Sequence, residues 1–264
     1  MAIACPTELN VDSLRAQIRE TYTRLARSPD GDFHFHRGPR YAAEVLRYEP
    51  TELDGLPSAC TARFAGLGNP LRIGPLKAGQ TVLDHACGSG MDLLLAARKV
   101  GASGRAIGVD MTPAMRVQVM AAADEAGLAD IVEVRAGLFE DLPVASASVD
   151  VVISNGVVNL APDKQRVFEE IARVLRPGGR LYLADVVVER ELTGEVRQDP
   201  ELWAGCIGGA LLEEELEALA TDAGLVGGRV LERFNCFAGT SAGSKLAPDL
   251  DAHSANFVAQ KVSR

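Results

Sequence analysis

Val82 to Gly90 reads VLDHACGSG. An apolar run opens it, Asp84 closes that run, and a turn holding Gly88 and Gly90 leads into a stretch of helical periodicity that stops at Gly101. The next segment, RAIGVD, is a second short apolar run ending on Asp110. Strand, glycine turn, helix, strand and an acid about 20 residues beyond the glycines is the logic of a ribose-binding βαβ unit. Gly88 and Gly90 let the backbone approach a ligand where a Cβ would collide. Asp110, at the end of the second strand, can accept both ribose hydroxyls.

Outward from this unit, short β-branched runs keep alternating with helical stretches. Strands are predicted at 81–84, 105–109, 131–135, 149–154, 180–186, 228–234 and 255–261, with helices at 90–100, 113–126, 163–175 and 212–223. The pattern predicts an α/β fold, a Rossmann-like seven-stranded and mostly parallel sheet. The first 79 residues read as an N-terminal helical cap, because Val11, Leu14, Ile18, Tyr22 and Leu25 form one apolar stripe behind an Asn10 cap. Residues 80–264 form the expected cofactor-binding domain. Within it, 189–211 is too long for an ordinary connection and is expected to be a second cap loop.

Composition narrows the partners. A formal net charge of −9 in 264 residues argues against nucleic acid, whose affinity comes from Lys and Arg neutralising phosphates. No apolar run has the length of a membrane span, and MAIACPTELN lacks a signal-peptide pattern, so a cytoplasmic location is expected. The five cysteines are irregularly spaced without a CxxC pair, which predicts neither a disulfide framework nor a metal site. The oligomeric state is not encoded in any motif.

The turn CGSGMD puts Asp92 in the first turn of the helix, where a carboxylate would repel a dinucleotide pyrophosphate. S-adenosylmethionine carries an ammonium and a sulfonium instead. VLDHACGSG, GVDMTPAM (108–115), LFEDLPVASASVDVVISN (138–155) and RVLRPGGRLYLADV (173–186) together resemble the ordered motifs of class I S-adenosylmethionine-dependent methyltransferases. The resemblance implies that Asp84 and Gly88 lie near the methionine part, Asp110 holds ribose, Met111 packs on adenine, and Leu138 and Phe139 flank its edge. Ala86 stands where the family has its first glycine, and Gly90 and Asn155 complete the expected cofactor set.

A narrower resemblance, to arsenite methyltransferases, rests on GVDMTPAM, ISNGVVNLAPDKQRVFEEIARVLRPGGRL (153–181), WAGCIGGAL (203–211), FAGTSAGSK (237–245) and the AGLGNP turn at 65–70. That family holds thiophilic trivalent arsenic with several cysteines. Here Leu67 and Gly156 occupy two of those positions, and Cys206 alone remains. The expected substrate is therefore an organic small molecule, or an arsenic species already carrying carbon. Cys60 lies seven positions before Leu67 and could reach the same pocket, or pack in the core. Cys87 reads as packing beside the cofactor. Cys5 and Cys236 read as unrelated to catalysis, with a second thiol near Cys206 left open.

Cys206 and Asn155 are the expected substrate-side residues. His36, with His34 in FHFHRG, is the candidate base should the nucleophile need one, or else part of a hydrogen-bonded hinge. His85 reads as a packed residue, and Asn159 and Asp185 as either ligand contacts or caps. Three other activities fit the same cofactor signature or fold: an N-, O-, S- or C-methyltransferase of natural products, a lyase or cyclase releasing methylthioadenosine, and a nicotinamide oxidoreductase or noncatalytic nucleotide-binding module.

Overall fold

The computed structural model describes residues 10–33, 35–199, 202–203, 206–240 and 252–263. Its centre is an eight-stranded sheet in the order β3-β2-β1-β4-β5-β8-β7, with the two-residue β6 pairing to β5. The strands are β1 (Thr81–Asp84), β2 (Arg105–Asp110), β3 (Val132–Ala136), β4 (Val149–Asn155), β5 (Leu175–Val188), β6 (Leu211–Leu212), β7 (Leu225–Phe234) and β8 (Ala252–Lys261). Every pairing is parallel except those of β8, which runs antiparallel to both β5 and β7. The order reverses direction between β1 and β4. Open α/β sheets bind ligands at such a switch point, beyond the carboxyl ends of the strands.

Helices α5 (Met91–Val100) and α6 (Pro113–Glu125) cover one side of the sheet, joined to it by Leu93, Leu94, Val119 and Ala122 in one buried cluster. On the other side, α7 (Lys164–Val174) and α9 (Glu213–Asp222) bury Val167, Phe168, Ile171, Leu216 and Leu219 against Leu83, Val152 and Leu181. The Asp163 side chain accepts from Arg166 N at 3.0 Å and caps α7. A capped start lets this strongly amphipathic helix begin abruptly.

The strands expected at 228–234 and 255–261 begin earlier, at Leu225 and Ala252, and the two-residue β6 adds an eighth strand to the expected seven. Pro177 was expected to end a helix at 175 and leave a turn before a strand at 180, whereas β5 starts at Leu175, directly after α7. Between the pairs Val149↔Leu175 and Val151↔Arg180 the register shifts, with Gly178 at φ +78°. The Pro-Gly pair is absorbed as a bulge, so the strand is interrupted in register without ending.

Before β1 come α1 (Val11–Arg27), α2 (Gly38–Glu44), α3 (Pro50–Asp54) and α4 (Ser58–Thr61). Asn10 Oδ1 accepts from Ser13 N at 2.9 Å, and α1 buries Leu14, Ile18 and Leu25. Full burial of each such side chain contributes ~1.5–3 kcal/mol, enough to hold the helix against its neighbours. Arg15 of α1 also pairs with Glu140 at 3.1 Å, tying the helix to the loop after β3. Between β5 and β6 the described residues include the short helix α8 (Gly194–Gln198).

Candidate functional site

The carboxyl ends of β1, β2 and β4 meet at the glycine turn. Gly88, at φ +51°, has nothing within 4 Å of where a Cβ would stand, so its backbone faces open space. Gly90, at φ +90°, starts α5, and a Cβ there would lie 2.2 Å from Val119 Cγ2. Glycine here allows α5 to pack closely on α6. The Asp110 carboxylate takes Gly88 N at 2.9 Å and Thr112 N at 2.7 Å, which locks the end of β2 to the turn. Burial raises the Asp110 pKa, and these two backbone donors oppose the rise.

Two adjoining cavities of about 480 Å³ each open on either side of Gly88. The first is bounded by Asp84, Asp92, Asn155, Arg63, Phe64 and Gly66; the second by Asp110, Met111, Leu138, Phe139, His85 and Ile18. Tyr22, Ala86, Gly88 and Val157 border both. Of the residues predicted from sequence to bind cofactor, Asp84, Ala86, Gly88, Asp110, Met111, Leu138, Phe139 and Asn155 therefore line one continuous cleft. Gly90 lies behind it, at the start of α5.

Asn155 organises the first cavity. Its Oδ1 accepts from Leu67 N at 2.8 Å and Gly68 N at 3.1 Å, while its Nδ2 donates to Asp92 Oδ2 at 2.8 Å. Tyr48 Oη donates to Asp92 Oδ1 at 2.6 Å. Gly66 is required beside this network, since a Cβ there would lie 2.4 Å from Asn155 Nδ2. Burial pushes Asp92 up to about 6, against the pull of Tyr48 and Asn155. Asp84 is raised further, first by burial and then by the charges of Asp92 and Asp110. Three acids around one cleft form an environment that a cationic ligand would relieve.

Behind the cleft, the AGLGNP turn, the end of β4 and Cys206 converge. A Cβ on Gly156 would lie 3.1 Å from Leu67 Cγ, and Cys206 Sγ donates to Gly156 O at 3.1 Å. Leu67, Trp203, Cys206 and Cys236 share one buried cluster. Burial, Asp185 and Cys236 raise the Cys206 pKa, with Lys164 opposing, so the thiol is neutral near pH 7. Burial pushes Cys236 up to about 11. Tyr22 lies in the field of Cys206, Asp110 and Asp185, and these groups add to burial in raising its pKa. Cys206 itself borders neither cavity, although its neighbours Val157 and Tyr22 border both.

The other candidates lie elsewhere. Cys60 is buried in a different cluster, with Tyr41 and Leu94, and its pKa is pushed up to about 12 by burial. The exception is Cys87, which borders the first cavity and packs beneath β2, where a Cβ on Gly108 would lie 2.8 Å from its sulfur. His36 borders a separate surface hollow of about 1,020 Å³, stacks on Tyr41 at 5.0 Å and has Nε2 2.7 Å from Ala238 O. Asn159 and Asp185 are buried among backbone groups: Asn159 Nδ2 donates to Val186 O at 2.7 Å, and Asp185 accepts from Val186 N at 2.8 Å. Cys5, His34 and residues 241–245 lie outside the described residues. Tyr22, Tyr48 and Arg63 were not singled out from sequence. Tyr22 was legible only as part of a core stripe, and nothing marked the other two.

A mostly parallel sheet with this switch point, a glycine turn after β1 and an acid at the end of β2 make up the fold of a class I S-adenosylmethionine-dependent methyltransferase. The chain belongs to the family described as methyltransferase domain, whose model matches residues 76–224. Within that class it is close to arsenite methyltransferases. The arsenite methyltransferase of Halobacterium salinarum is 47% identical over 228 residues, covering 81% of this chain and 57% of the relative. The arsenic(III) S-adenosylmethionine methyltransferase of Chlamydomonas reinhardtii superposes with a TM-score of 0.65 at 32% identity, over 86% of this chain and 75% of the other. A nocamycin O-methyltransferase from Saccharothrix syringae is 38% identical over 109 residues, covering 41% of this chain and 39% of that one. The chain thus spans little more than half the length of the first of these relatives. S-adenosylmethionine is the cofactor, and no described helix is long and apolar enough to cross a membrane.

Proposed function

We propose that this chain methylates a small molecule other than free arsenite: an organic acceptor, or a trivalent arsenic species already carrying carbon. The convergence of Leu67, Gly156 and Cys206 carries this reading. Two of the three positions offer a branched alkyl group and a bare backbone. Carbon-free arsenite presents three positions for sulfur and would meet one thiol at this point. Cys236 adds a second thiol only from deeper in the cluster, and burial keeps both protonated.

When bound, S-adenosylmethionine supplies an electrophilic methyl group on a sulfonium for in-line transfer to a nucleophile. The residues present fit it. Asp84 and Asp92 offer negative charge to its cationic groups, and Arg63 offers a guanidinium to its carboxylate. Asp110 has lone pairs left for ribose after accepting two backbone N–H groups, and Met111, Leu138 and Phe139 wall an apolar slot suited to adenine.

Residues 1–79 act as a cap in this reading, because Ile18 and Tyr22 of α1 close the cleft from above and exclude water. Residues 189–211 form the substrate-side cap, through Trp203 and Cys206. Asn155 positions the wall between the two sites. A soft nucleophile needs no base; His36, outside the cleft, enters only if the acceptor must lose a proton.

The test is incubation of purified protein with S-adenosylmethionine and, separately, arsenite as its glutathione complex, methylated trivalent arsenicals and hydroxyl or amine acceptors, with mass spectrometry of the cofactor product. S-adenosylhomocysteine formed with a carbon-bearing acceptor and not with arsenite is the expected result. Turnover of arsenite that is lost on Cys206 replacement, with cofactor affinity intact, would overturn the reading. Release of methylthioadenosine would assign a lyase or cyclase.

A further inference from the structure

His85 is 1% exposed, yet it borders the cavity that holds Asp110, Met111 and Phe139. Neither ring nitrogen has a hydrogen-bond partner among the described residues. Burial pushes its pKa down to about 4; the nearby Ile153 carbonyl opposes this weakly, without hydrogen-bond geometry to either ring nitrogen. The ring is therefore neutral at pH 7 and carries one donor and one acceptor. The ring lies beside Phe139, tilted at a centroid distance of 6.0 Å.

A second orphan stands beside it. The parallel register pairs Asp84 with Ile153, so the next residues, His85 and Ser154, are neighbours on adjacent strands. Ser154 is fully buried, and its Oγ also lacks a partner. Alternation places both residues on the sheet face of Leu83 and Val152, whose surroundings are otherwise apolar. Buried polar groups are normally paired, and two unpaired ones at the strand ends of a ligand-binding switch point call for a partner that arrives from outside. A leucine at position 85 would satisfy the packing without the desolvation penalty.

We infer that His85 is a cofactor-recognition residue whose neutral ring hydrogen-bonds the ribosyl-adenine part of S-adenosylmethionine. A ribose hydroxyl matches either ring nitrogen, and adenine offers both acceptors and a donor. The inference rests on the placement of the nucleoside in this cavity proposed above.

The test measures S-adenosylhomocysteine affinity by calorimetry, ligand-free thermal midpoint, and imidazole 15N shifts, for wild type, His85→Leu, His85→Gln, Ser154→Ala and Asp110→Ala. His85→Leu is expected to raise the ligand-free midpoint while weakening S-adenosylhomocysteine binding about three- to tenfold, the span of one neutral hydrogen bond. His85→Gln recovers part of that loss, and Ser154→Ala, which breaks no hydrogen bond to the ring, leaves affinity within twofold of wild type. In the wild type, the ring 15N signals move on ligand addition. A raised midpoint with affinity within twofold of wild type would mean that the two groups hold a structural water, and would overturn the inference. Should His85→Leu fail to fold, unmoved 15N signals in the wild type would overturn it equally. Asp110→Ala separates the two levels: weak binding in that variant alone sinks only the role of His85, whereas unchanged binding in both removes the nucleoside from this cavity and the inference with it.

Discussion

Asn155 Nδ2 lies 2.8 Å from Asp92 Oδ2, so the last residue of β4 is hydrogen-bonded to the first turn of α5 across the floor of the cleft. The same amide holds the AGLGNP turn through Leu67 N and Gly68 N. One side chain thereby couples the acid expected to face the cofactor to the wall expected to face the substrate.

The first consequence is a pH dependence. The folded pKa of Asp92, about 6, stands above the 3.8 of an ordinary Asp. A raised acid stabilises the fold fully below its unfolded value, and that contribution is lost as pH climbs from 3.8 to about 6. A cation bound nearby reverses the penalty by favouring the carboxylate. Cofactor affinity should therefore strengthen as pH rises toward 6 and level off above it. Asp92→Asn is expected to flatten this profile and weaken binding about tenfold or more at pH 7.5. Calorimetry across pH 5 to 8 and denaturant melts check both signs.

Asp110 makes a sharper prediction for binding alone. Its carboxylate fixes the turn through Gly88 and Thr112 and keeps lone pairs facing the cavity. Charge-assisted hydrogen bonds contribute ~1.5–3 kcal/mol, so Asp110→Ala should weaken S-adenosylhomocysteine about 10- to 100-fold. An adenosine-free ligand such as homocysteine should bind both proteins alike. Equal losses for both ligands would show that the substitution had collapsed the turn.

Gly90 is a stability prediction. Its φ of +90° disfavours any side chain, and a Cβ would collide with Val119 at 2.2 Å. Gly90→Ala should cost ~2–4 kcal/mol, from left-handed strain plus overpacking between α5 and α6. The thermal midpoint is expected to fall by roughly 5–15 °C. A midpoint within 2 °C of wild type would mean that the turn can relocate freely.

The sheet and the residues gathered around the glycine turn were legible because both are written in local sequence. VLDHACGSG carries its strand, turn and helix start within nine residues, and the acid of GVD follows at a fixed interval. The wall proposed to face the substrate is assembled from distant segments. Tyr22, Leu67, Gly156 and Cys206 belong to a helix, a turn, a strand end and a loop, and only the fold shows that they meet. Tyr22 sits on the apolar stripe of α1, where periodicity marks burial and says nothing of what the hydroxyl faces. His85 was hidden by the same rule: a residue at a strand end reads as packing until its ring nitrogens are found unpaired. At Pro177 the helix expected over 163–175 does end, at Val174, but the strand expected from 180 already starts at Leu175, because the Pro-Gly pair sits in a bulge where β4 keeps pairing on either side.

The proposed acceptor preference can be tested by rebuilding the missing thiols. Gly156→Cys alone should be poorly tolerated, since φ is +72° and the new Cβ would crowd Leu67. Left-handed strain sets a cost of ~1–2 kcal/mol, and trimming position 67 relieves part of the crowding. Leu67→Cys with Gly156→Cys places two added sulfurs beside Cys206, where Sγ already touches the Gly156 carbonyl. The double variant is expected to bind one equivalent of trivalent inorganic arsenic and to gain arsenite-dependent formation of S-adenosylhomocysteine, while losing activity toward the carbon-bearing acceptor. Thiol titration before and after arsenite addition reads the binding directly: three protected thiols in the double variant against at most two in the wild type. Equal arsenite protection and equal turnover in both proteins would show that Cys206 and Cys236 already suffice, and that Leu67 and Gly156 do not set the substrate.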